Sequence, residues 1–107
     1  MCPDHHNVYV IELDDAVRTH RGFAGANPDC SLDLPCLYVG VTGLTPEERF
    51  ARHKAGVQHS RIVKRYGLRL MPEMYAYLNP MPYDAAARME QDLAEDLRAA
   101  GYGVWQR

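Results

Sequence analysis

Disulfide chemistry is the first thing this chain lacks. Its three cysteines, Cys2, Cys30 and Cys36, are an odd number with no Cys-x-x-Cys pair, which speaks against a secreted disulfide framework and makes reduced thiols the expectation. No apolar run approaches the roughly 18 residues that span a bilayer. The opening Met1-Cys2-Pro3-Asp4-His5-His6 lacks the basic-then-apolar order of a signal peptide. A cytoplasmic protein without membrane contact is expected. Neither sign of charge dominates, and a formal charge of -2 gives no global pull towards nucleic acid. There is no internal repeat, low-complexity tract or sign of a second domain. The 107 residues fit one domain, 1–107, able to bury a core without disulfides or a structural metal.

One absence is local. From Arg49 to Arg69 there is no acidic residue, while seven basic ones occur: Arg49, Arg52, Lys54, Arg61, Lys64, Arg65 and Arg69. Such a run is either a solvated surface shared by two helices or a phosphate-binding face. Phosphate contacts position a nucleic acid, so chemistry requires a separately equipped pocket.

What is present begins with Asn7 to Leu13, rich in β-branched and aromatic residues, which predicts a strand. Residues 14–35 contain Gly22, Gly25, Asn27, Pro28 and Pro35 with little periodicity, so they read as a long connection or insertion, with a helical turn near Asp15 to Arg18. Cys36 to Val41 is a second strand with a glycine turn at its end, and Thr42-Gly43 turns the chain. Thr45-Pro46-Glu47-Glu48 is a capping box with proline at the first helical position. The helix it opens carries Arg49 and His53 four residues apart on one face and stops at Gly56. A second short helix runs from His59 or Ser60 to Tyr66, closed by Gly67. Met74-Tyr75-Ala76-Tyr77-Leu78, within 69–78, predicts a third strand, with Pro72 marking an edge or a strand start; Asn79-Pro80-Met81-Pro82 turns it. Asp84 is expected to cap a last helix through about Ala99, stopped at Gly101. The order is β-β-α-α-β-α, an α+β protein.

On the last helix Ala86, Met89, Leu93 and Leu97 make an apolar stripe. At about 100° per residue, Glu90 falls within roughly 60° of its centre, while Asp92, Glu95 and Asp96 face solvent or the stripe's margin. A carboxylate aimed at a core needs a partner. Arg49 is one candidate, and a divalent cation, for which one carboxylate plus waters suits Mg²⁺, is the other.

Two tyrosine strands, an Arg-x-x-x-His after a capped helix start and a late inward glutamate resemble, in this order, the GIY-YIG nuclease superfamily. Val8-Tyr9-Val10 matches the first signature and Tyr38-Val39-Gly40 the second, with Arg49, His53 and Glu90 following, so the resemblance covers nearly the whole chain. It implies a small antiparallel three-stranded sheet flanked by helices. It also implies endonuclease cleavage of a phosphodiester, in DNA rather than RNA, with one divalent cation, Mg²⁺ or Mn²⁺, on Glu90. Tyr38 would be the general base helped by Tyr9 or His53, and Arg49 would offset charge on the scissile phosphate. Arg52, Lys54, Arg61, Lys64 and Arg65 would contact the nucleic acid.

Val8 stands where the first signature has glycine, and valine replaces both isoleucines, which preserves strand character. The family usually has a short turn where this chain has 14–35, and no asparagine follows Glu90. The insertion could serve as a specificity loop, a protein-partner surface or a metal-bound excursion. Cys2, His5, His6, Cys30 and Cys36 offer zinc ligands, but antiparallel pairing would set Leu13 near Cys36 and Asn7 near Val41, at opposite ends. Structural zinc is therefore not expected, with His20, Cys30 and Cys36 a smaller possible set. The competing functions are a non-catalytic nucleic-acid-binding or protein adaptor that keeps the fold, and hydrolysis or transfer on a small phosphate ester.

Overall fold

The computed structural model of the chain describes residues 5–58 and 60–106. Cys2, and a start of the second helix at His59, lie outside them. β1 is Asn7–Leu13, and its Val8, Val10, Tyr9 and Ile11 are all buried. A strand apolar on both faces belongs inside a sheet. With β2 at Cys36–Thr42, β3 at Gly67–Leu70 and β4 at Gly103–Gln106, the order is β3-β1-β2-β4. β1 runs antiparallel to β2, with Leu13 opposite Cys36 as expected and Asn7 opposite Thr42, one residue beyond Val41. β1 is antiparallel to β3, and β2 is parallel to β4. The chain is α+β, but the expected three-stranded antiparallel sheet is a four-stranded mixed one.

Four helices surround the sheet: α1 at Arg21–Ala26, α2 at Pro46–Ala55, α3 at Arg61–Tyr66 and α4 at Tyr83–Ala99. α2 begins at the predicted capping box, with Thr45 accepting from the Glu48 amide, and ends at Gly56 with φ +82. Ser60 caps α3, and Gly67 follows it because a Cβ there would lie 2.5 Å from the Val63 carbonyl. Residues 14–35 hold a 3-10 turn at Asp15–Thr19 as well as α1. α1 contains two glycines, yet it forms because Phe23 is buried against Trp105 and His20 Nδ1 accepts from the Phe23 amide.

Two expectations are corrected, and one strand is added. Met74 to Leu78 is not a strand. The ladder ends where the Met71 amide donates to the Val10 carbonyl, and Pro72, with no N–H to extend it, starts two 3-10 turns, Pro72–Met74 and Ala76–Leu78. The strand is instead Gly67–Leu70. The last helix is not capped by Asp84: Pro82 is the N-cap, without a side-chain bond, and Asp84 sits inside the first turn. The C-terminal run is β4, a short strand made by its parallel partner β2 rather than by its own propensity.

Two asparagine side chains finish the sheet. Asn79 Oδ1 accepts from the Val8 amide at 2.8 Å and its Nδ2 donates to the Val8 carbonyl at 2.7 Å. It replaces the strand residue that the excursion through 72–78 removed. Asn27 treats Val104 the same way, at 2.8 and 2.9 Å, closing the open side of β4.

Candidate active site

The β1–β2 register sets Tyr9 opposite Gly40 and Ile11 opposite Tyr38, so the two tyrosines share a face as diagonal neighbours. Their ring centroids are 6.1 Å apart. Gly40 is not a turn residue. It lies within β2, and a Cβ there would come 2.6 Å from Tyr9 Oη and 2.7 Å from Tyr9 Cζ. The Tyr-x-Gly pattern therefore makes room for the phenol of the other strand.

α2 brings His53 onto the pair. Its Nε2 lies 2.9 Å from Tyr9 Oη, and its ring meets Tyr38 edge-on at 5.7 Å. The Ser60 amide donates to His53 Nδ1 at 2.9 Å. An acceptor at Nδ1 places the hydrogen of the neutral ring on Nε2, so His53 donates to Tyr9. Burial pushes the Tyr9 phenol well above its ordinary range, and Tyr38 adds to this, while the Arg49 guanidinium opposes it. The Tyr9–Tyr38 hydrogen bond also raises Tyr9, while the bond from Arg49 lowers it. Ser60 N–H, His53, Tyr9 and Tyr38 are thus linked in one hydrogen-bonded series. Tyr9 and Tyr38 are each 1% exposed and His53 0%.

Arg49, one turn before His53, donates through Nη2 to the Gln58 carbonyl at 2.7 Å. The same guanidinium is hydrogen-bonded to the Tyr9 phenol; Arg18–Asp15, Arg69–Glu12 and Arg69–Glu73 are ion pairs elsewhere on the molecule. Glu90 is 9% exposed. It sits between Ala86 and Ala94, the other buried residues of α4, on a helix packed against β1, β2 and β4. Met89, Leu93 and Leu97 flank that column half-buried, and Asp92, Glu95 and Asp96 are exposed.

Among the described residues no three His, Cys, Asp or Glu side chains form a metal cluster. A zinc site needs such a set. His20 instead caps α1 and Cys30 accepts from Arg18, while burial raises the Cys36 thiol to about 11. Mg²⁺ needs less, since one carboxylate with water completing the shell suffices, and Glu90 on its alanine-flanked face fits that role.

Arg52, Lys54, Arg61, Lys64 and Arg65 are all exposed on α2 and α3. Lys54 Nζ is committed to the Lys64 and Gly67 carbonyls, both at 2.9 Å, and Arg65 lies over the Tyr66 ring. Cavities occur elsewhere, one of ≈ 450 Å³ beside Arg88 and Met89 and two of ≈ 200 Å³ around Cys30. Sequence reasoning missed Ser60 and Gln58, which act through backbone groups that no residue pattern reports. No family model matches the chain, and neither a curated protein nor a solved structure does.

Proposed function

We propose that the protein is a metal-dependent endonuclease that hydrolyses phosphodiester bonds in DNA. One observation carries this: Tyr9, Tyr38 and His53, from three separate elements, meet in one hydrogen-bonded cluster with Arg49 beside it. Tyr9 keeps its proton, and Tyr38 beside it would take a proton from an attacking water as the phenolate, its own proton having first passed to solvent. His53, fixed by Ser60, holds the Tyr9 phenol in place. The Arg49 fork matches phosphate oxygens and offsets their charge. Glu90 would hold one Mg²⁺ or Mn²⁺, which when bound supplies water activation and charge neutralisation at the leaving oxygen. Arg52, Arg61, Lys64 and Arg65 would track the backbone. Purified protein with Mg²⁺ or Mn²⁺ is expected to cut branched, nicked or single-stranded DNA, and Glu90→Ala, Arg49→Ala and Tyr38→Phe to abolish cutting with the fold intact. Full activity in Glu90→Ala, or no cleavage of any of these substrates, would sink the proposal.

A second reading, a nucleic-acid-binding adaptor on the same scaffold, draws support from the near-complete burial of both tyrosines and His53. Salt-sensitive binding that ignores both metal and Glu90→Ala, without cleavage, is its signature.

A further inference from the structure

The guanidinium that the proposed chemistry needs is already engaged. Arg49 Nη2 donates to the Gln58 carbonyl at 2.7 Å, and Gln58 has φ +46, the one positive φ outside glycine among the described residues. Glutamine is strained in this left-handed region. The turn before it is secured without strain, because Gly56 takes its positive φ readily and the Val57 amide donates to the Arg52 carbonyl. The strain is therefore localised at the residue whose carbonyl Arg49 holds. That carbonyl meets the guanidinium as a phosphate oxygen would, and a charged phosphate oxygen is the stronger acceptor.

We propose that the Arg49–Gln58 contact is an autoinhibitory latch, in which the carbonyl stands in for a phosphate oxygen until a phosphodiester displaces it. Displacement frees Arg49 for substrate and lets position 58 leave the left-handed region. The latch rests on the phosphodiester reading of this site.

The test uses the full chain in EDTA, so that nothing is cut, with a single-stranded oligonucleotide and inorganic phosphate as separate probes. Gln58→Ile, whose β-branch disfavours the left-handed region, is expected to bind the oligonucleotide about fivefold tighter. Gln58→Gly, which accepts that region, should bind no tighter than wild type. Both differences should vanish when Arg49→Ala is added. In wild type, phosphate should shift the Gln58 carbonyl ¹³C resonance to its position in Arg49→Ala. Gln58→Ile binding like wild type, a difference that survives Arg49→Ala, or a carbonyl resonance that already matches Arg49→Ala without phosphate overturns the latch. Cleavage of DNA alongside any of these leaves the nuclease proposal intact. Phosphate releasing the carbonyl and Gln58→Ile binding the oligonucleotide more tightly, while no DNA is cut with Mg²⁺ or Mn²⁺, upholds the latch and removes the nuclease.

Discussion

Gly40 shows how much a single position can carry. Its missing side chain is the space the Tyr9 phenol occupies, so Gly40→Ala is expected to cost about 1–3 kcal/mol by overpacking, read from urea unfolding, and to break the Tyr9–His53 bond. A stability loss well below that range would mean the phenol has another place to go. The same phenol sets an alkaline limit. Tyr9 is raised in the folded state, so the folded protein holds that proton more tightly; the stability is present below the unfolded tyrosine pKa near 10 and is lost as pH rises above it. Cys36, raised from 9.0 to about 11, adds a loss from pH 9 upwards. The urea midpoint should therefore fall between pH 9 and 11, and less steeply in Tyr9→Phe and Cys36→Ala. A fall unchanged in both variants would assign it elsewhere. Tyr9, Tyr38, Arg49 and His53 were legible in the sequence because strand alternation and helical spacing are local rules. The Ser60 amide on His53 was not, because any residue type could have supplied it.

At the scale of elements, residues 71–79 are the instructive case. Their alternation of apolar and aromatic residues mimics a strand, but Pro72 breaks the ladder, and Tyr75 is buried for a different reason, as the anchor of the excursion. Tyr75 Oη has no partner among the described residues, and burial followed by the charges of Glu47 and Glu73 pushes it from 10.0 to about 12. Tyr75→Phe is thus expected to be neutral or stabilising by up to about 1 kcal/mol, whereas Tyr9→Phe, which leaves a buried His53 donor, should cost about 1–3 kcal/mol. Equal losses in chemical denaturation would contradict this contrast. Asn79→Ala removes two bonds to β1 at once and should also cost about 1–3 kcal/mol. β1, β2, α2 and α3 could be read from the chain because each has its own pattern or caps. β4 and α1 could not, since Gly103 to Gln106 becomes a strand only beside β2 and Asn27, and the glycine-bearing α1 only against Trp105.

Across the whole molecule, the near-neutral net charge conceals an uneven distribution. The acid-free run supplies exposed Arg52, Arg61, Lys64 and Arg65, whereas Arg69 is paired with Glu12 and Glu73 and Lys54 is held by carbonyls. Four phosphate contacts predict that log K falls against log salt with a slope of about −3 to −4, unchanged in Glu90→Ala; a flat salt response would rule out this face as the contact surface. The two asparagine clamps bear on how the sheet ages. Each is followed by proline, as Asn27-Pro28 and Asn79-Pro80, and proline has no backbone N–H. Spontaneous deamidation proceeds through attack of that following nitrogen on the side-chain amide to form a cyclic imide, a route a tertiary nitrogen cannot take. The two amides that hold Val8 and Val104 are thereby shielded from the slow chemistry that would turn them into carboxylates and set a negative oxygen against each strand carbonyl.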